Sequence, residues 1–100
     1  MFVHHVYFWL KNAGNPEEKT RLLEGIRSLG QIETIQTVHA GVPANTNRDV
    51  IDTSYSFSLL LIFNNLKDQE TYQTHPIHLK FVENCAHLWS KVIVYDSVDA

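Results

Sequence analysis

At 100 residues, 44% of them hydrophobic types, the chain has the length of one small globular domain, which buries only about 60 to 70% of its unfolded surface. Eight Lys and Arg against eleven Asp and Glu give a formal charge of -3, spread without blocks, and this offers no electrostatic footprint for nucleic acid or an anionic membrane. The single Cys85 excludes an internal disulfide, and Met1-Phe2-Val3-His4-His5 lacks a basic n-region or a long apolar run, so a cytoplasmic location is expected.

Phe2 to Leu10 is a β-branched and aromatic run, ended by Lys11-Asn12-Ala13-Gly14-Asn15, and reads as a strand. Phe2, Val6, Phe8 and Leu10 share one face with His4, while Val3, Tyr7 and Trp9 share the other with His5; a strand apolar on both faces needs cover on both. Asn15-Pro16-Glu17-Glu18 supplies an N-cap, a proline at the first helical position and a glutamate placed for a capping box, so a helix starts at about Pro16. Leu22, Leu23, Ile26 and Leu29 are its buried stripe, and Gly30 is read as a left-handed terminator. Ile32 to Val42 is a second strand, and Pro43 to Asp49 a polar loop. Ser54 to Phe63 is a third strand, with Tyr55, Phe57, Leu59, Leu61 and Phe63 on one face. Asn64-Asn65 caps a short helix ending near Thr74, and Pro76 opens another that is expected to bury Leu79, Val82, Ala86 and Trp89. Ser90 to Val98 closes the chain as a fourth strand.

The order β-α-β-β-α-β over residues 1–100 implies one α+β domain of the ferredoxin-like, split βαβ class, a four-stranded antiparallel sheet with helices on one face. Because the first strand and part of the third are also apolar on the other face, a lone domain would leave that face in water. A homodimer packed sheet on sheet, a dimeric α/β barrel, is therefore expected.

Chemistry concentrates in Tyr72-Gln73-Thr74-His75-Pro76-Ile77-His78. Pro76 fits a first helical turn and pushes His75 toward an extended conformation, so a break between Tyr72 and His78 aims a phenol and an imidazole at a common pocket. A neutral imidazole removes a proton, and a tyrosine hydroxyl orients or donates to a developing enolate. Each residue also has a plainer reading: His78 as a group bonded within the helix start, His75 as structural, Tyr72 as a half-buried packing residue, His5 as a core histidine. His4 and His5 point to opposite faces and cannot chelate one metal; His75 and His78 have no third ligand at helical spacing, so no metal is expected. Cys85 lies on an apolar side near Phe81 and Leu88 and is no nucleophile. A glycine-rich phosphate loop, CxxC, HExxH and a nucleophile elbow are all lacking.

Phe2-Val3-His4-His5-Val6-Tyr7-Phe8-Trp9, Leu59-Leu60-Leu61-Ile62-Phe63, His75-Pro76-Ile77-His78-Leu79-Lys80-Phe81-Val82 and Val92-Ile93-Val94-Tyr95-Asp96 together resemble the stress-responsive A/B barrel domain, or Dabb, family. The resemblance covers essentially the whole chain, and its most specific part is His-Pro-x-His. It implies a homodimeric α+β barrel and stress-associated expression in some plant members. One plant member closes a linear polyketide into an aromatic ring without a cofactor, using a Tyr and a His that match Tyr72 and His78; His5 and Trp89 match residues lining its pocket. Phe57, Glu24 and Arg27 stand where that member carries other pocket residues, which implies a pocket of different shape and charge.

Three functions follow as expectations. The preferred one is a homodimer that binds a small apolar or aromatic metabolite between sheet and helices, with Tyr72 and His78 at the centre and His5, Tyr7, Trp9, Leu59, His75, Phe81 and Trp89 lining the site. The second is a cofactor-independent lyase or isomerase of polyketide-cyclase type, His78 acting as base with Tyr72. The third is a cofactor-free monooxygenase of the related antibiotic-biosynthesis type. None of them requires a cofactor, nucleic acid or membrane.

Overall fold

A computed structural model describes residues 1–100. The elements are β1 (Phe2–Leu10), α1 (Pro16–Ser28), β2 (Ile35–Gly41), β3 (Phe57–Phe63), α2 (Leu66–Thr74), α3 (Pro76–Cys85) and β4 (Trp89–Val98). The four strands form one antiparallel sheet in the order β2-β3-β1-β4, with the helices on one side: a ferredoxin-like α+β fold. No helix is long and apolar enough to cross a membrane.

Strand alternation decides the layering. Phe2, His4, Val6, Phe8 and Leu10 of β1 are buried, whereas the odd-numbered residues between them are half-buried; the even face therefore lies under the helices. From β3 that face adds Phe57, Leu59, Leu61 and Phe63, and α1 covers it with Leu22 and Ile26. Asn15 begins α1 as the sequence implies, its carboxamide oxygen accepting from the Glu17 and Glu18 amides at 3.0 and 3.1 Å.

Four boundaries differ from the sequence reading. Gly30 is not left-handed, since no residue has positive φ; α1 instead tightens into a 3-10 turn over Leu29–Gln31, which turns both Leu29 and Ile32 into the core. That turn shortens the second strand to Ile35–Gly41. Ser54 and Ser56 lie outside β3 because their hydroxyls serve β1, accepting from Trp9 Nε1 at 3.1 Å and the Leu10 amide at 3.0 Å. On α3 the buried residues are Phe81 and Cys85, continued by Leu88 in a 3-10 turn over Ala86–Leu88. Leu79 and Val82 are exposed, and Trp89 already belongs to β4. Phe81, Cys85 and Leu88 repeat at helical spacing just as the expected set does, and only contact with α1 and the sheet selects between the two stripes.

Candidate functional site: a cleft between α3 and β4

The break at His75 and Pro76 arises as the proline demands. His75 has φ -63° and ψ 138° and caps α3: its Nδ1 accepts from the Ile77 amide at 3.1 Å, and its Nε2 lies 3.4 Å from Glu33 Oε2. His75 thus spends both ring nitrogens outside the cleft. Beyond it, His78 falls on the stripe that continues through Phe81 and Cys85, so α3 turns this imidazole inward.

Tyr72 and His78 come together with ring centroids 4.7 Å apart. They line a cleft of about 130 Å³ with His4, Val6, Phe8, Leu59, Gln73, Phe81, Val82, Trp89, Val92 and Val94. Tyr72 is 2% exposed, and burial pushes its phenol well above the usual tyrosine range, so the hydroxyl keeps its proton at neutral pH. Burial also lowers the His78 pKa; the Gln73 carbonyl opposes that shift, and His4 adds to it. His78 Nδ1 is sealed from solvent and, the influence of the Gln73 carbonyl on the ring aside, makes no well-formed hydrogen bond within the protein.

His4 is the residue sequence reasoning left out. It is buried under the helices, edge-on to Tyr72 at 5.7 Å, and its Nδ1 lies 2.6 Å from Asp96 Oδ1. A carboxylate only accepts, so His4 carries a proton on Nδ1 and donates it to Asp96. The signal was present in the strand alternation, which set His4 with Phe2, Val6 and Phe8. Asp96 was not legible, because the pairing of His4 with Asp96 is a matter of register between the first and last strands.

Of the residues named from sequence, Leu59, Phe81 and Trp89 line the cleft with Tyr72 and His78. His5, Tyr7 and Trp9 do not: they lie on the opposite sheet face, because residues at odd positions of β1 point away from the helices. Tyr7 and Trp9 wall a separate groove of about 350 Å³ with Asp52, Tyr55, Lys91, Ile93 and Tyr95. There the His5 and Tyr7 rings are 4.5 Å apart and Lys91 Nζ sits 4.5 Å above the Trp9 ring. Burial, with His39 and His4 as further causes, lowers the His5 pKa. No group of three or more His, Cys, Asp or Glu is placed to hold a metal ion.

The sequence model of the Stress Responsive A/B Barrel Domain (Dabb) matches residues 2–99. The chain belongs to this family. Among solved structures, a Dabb protein of ferredoxin-like fold from Mesorhizobium loti is similar at 25% identity and a TM-score of 0.81, covering 99% of this chain and 96% of its own. A dimeric ferredoxin-like protein from Bacteroides fragilis is similar at 23% identity and a TM-score of 0.74, with coverages of 96% and 93%. A hydroxynitrile lyase from Passiflora edulis has the same fold at 15% identity and a TM-score of 0.79, with coverages of 99% and 93%. Among curated proteins none matches this Dabb chain in sequence.

Proposed function

We propose that this Dabb protein is a cytoplasmic homodimer that binds a small apolar or aromatic metabolite in the cleft between sheet and helices. The observation that carries the reading is the cleft itself, where the Tyr72 and His78 rings, 4.7 Å apart, meet in a largely apolar wall. The few polar groups there offer a ligand hydroxyl or carbonyl its hydrogen bonds, and the surrounding apolar side chains pack on the rest of it. A thermal-shift screen with aromatic and polyketide-like acids tests it: a ligand of the native state raises the unfolding midpoint, and His78→Ala removes the rise. If no compound moves the parent protein, ligand binding is refuted. The dimer reading is supported by the outer sheet face, where Val3, Tyr7, Trp9, Leu60, Ile62 and Ile93 are only half-buried, and by the dimeric Bacteroides fragilis relative. Sedimentation at micromolar concentration is expected to give twice 11.5 kDa; the protomer mass alone would overturn it.

The short bond between His4 and Asp96 favours a second reading, a cofactor-independent lyase or isomerase. His78, kept neutral by burial, takes a proton from a substrate hydroxyl or from a carbon beside a carbonyl. Tyr72 donates to the oxygen on which charge develops. Asp96 holds His4 in one orientation through the Nδ1 proton, and so fixes the imidazole that stands edge-on to Tyr72. The Passiflora edulis relative is a hydroxynitrile lyase, so the frame is compatible with lyase chemistry. A His78→Ala variant with full turnover on an identified substrate would remove this reading.

A further inference from the structure

Two imidazoles share one row of the outer sheet face, the face away from the helices. Leu60 of β3 pairs with His5 of β1 on one side and with His39 of β2 on the other. The two histidines therefore stand about 9–10 Å apart across it, and Tyr95 of β4 continues the row beyond His5. Both rings lean along their strands. The His5 ring tilts against Tyr7, with centroids 4.5 Å apart and Nδ1 3.4 Å from the phenol oxygen. His39 folds over Gly41, where an added Cβ would lie 2.9 Å from its Cε1.

The strands set no carboxylate on this face. Followed through the register, their outward residues include His5, His39, Tyr7, Tyr95 and Lys91 as the titratable groups, and β3 contributes none. Tyr55 packs edge-on against Tyr7. Carboxylates stand at the two ends, each beside a cation: Asp52 shares the groove around Trp9 with Lys91, and Asp99 meets the Met1 ammonium at 3.0 Å. His4, behind His5 on the helix side, bonds to Asp96. The middle of the face thus holds two proton acceptors and no acid to balance them.

A two-fold dimer lays this face on a second copy of itself, with the sheets about 10 Å apart and their side chains interdigitated. The partner brings the same two imidazoles and the same want of a carboxylate between the end pairs. The seam then encloses four neutral rings at neutral pH, and in acid it would enclose four uncompensated positive charges. We propose that His5 and His39 make the dimer pH-gated: both are neutral in the seam, and their protonation parts folded protomers in mild acid. This rests on the homodimer reading and adds its regulation. Within one protomer the His5 pKa is already lowered, by burial first and then by His39 and His4, and burial in the seam acts in the same direction. A ring held neutral in the dimer takes its proton only on the free protomer, so acid favours dissociation, by up to about tenfold per ring and pH unit below the ordinary imidazole value of about 6.5.

Sedimentation velocity over a dilution series tests it on the full chain. A dimer is expected at about pH 7.5, with a dissociation constant at least about tenfold higher at about pH 5.5 and the helix signal in circular dichroism retained. Dilution calorimetry at about pH 6, in two buffers of different ionisation enthalpy, is expected to read roughly two to four protons taken up per dimer parted. The double variant His5→Gln, His39→Gln, neutral at both pH values, loses the dependence. His87→Gln, on the exposed turn before β4, keeps it. A parent protein that sediments as the protomer at about pH 7.5 overturns the dimer and its gating together. The gating alone falls, and the dimer stands, if the two dissociation constants are equal, if no proton is taken up, or if the double variant parts in acid as the parent does. A helix signal lost along with the dimer overturns the gating in favour of unfolding. Where the double variant does not dimerise at about pH 7.5, proton uptake by the parent decides.

Discussion

Gly25→Ala probes how closely α1 and α3 approach. Gly25 has no unusual backbone conformation, so its role is space: a Cβ there would lie 2.6 Å from Cys85 Sγ and 3.0 Å from Phe81 Cδ1. Both neighbours are buried, Cys85 at 3% and Phe81 at 6% exposure, and cannot swing into solvent. Alanine is favoured over glycine in a helix by about 0.8–1 kcal/mol, whereas overpacking a filled core costs about 1–3 kcal/mol. The expected balance is a loss of up to about 2 kcal/mol, a fall in melting temperature of roughly 4–8 °C per kcal/mol for a domain of this size. Cys85→Ala alone costs on the order of 1 kcal/mol through the lost packing of its sulfur. In the double variant the new methyl occupies the space that Sγ left, so the two changes couple favourably by about 1–2 kcal/mol. Urea unfolding followed by tryptophan fluorescence, at one fixed protomer concentration, measures all four corners of the cycle. A stabilised Gly25→Ala protein, or a cycle additive within about 0.5 kcal/mol, would refute the close approach.

His78→Leu removes a buried, unpaired nitrogen and is expected to raise stability by about 1 kcal/mol while weakening ligand binding; a lower melting temperature would show that Nδ1 has a partner. Burial lowers the pKa of both His5 and His78 from 6.5, so as pH falls through about 6.5 the unfolded chain binds protons that the folded chain refuses. Melting temperature is therefore expected to hold above neutrality and to decline toward pH ~5, with a shallower decline in His78→Leu; a flat profile would count against the burial of these rings. Asn15→Ala deletes the acceptor for the Glu17 and Glu18 amides and should cost about 1 kcal/mol in the same urea assay; no change would mean that water replaces the cap freely.

The amino-acid order alone determined the element succession, the start of α1 at Asn15-Pro16, the break at His75-Pro76 and the apolar two-sidedness of β1, because caps, prolines and strand alternation act within a few residues. It also brought Tyr72 and His78 to one helix junction. What it did not contain is which stripe of α3 is inward, whether Gly30 ends α1 or lets it tighten, and which sheet face the helices cover at His4 and His5. Each depends on the surface a segment meets, and two stripes or two faces of similar hydrophobicity are equivalent until a partner element chooses. The tertiary structure made that choice: covering the even face of β1 brought His4 into the cleft, and pairing the first strand with the last brought Asp96 to it across ninety-two positions of chain.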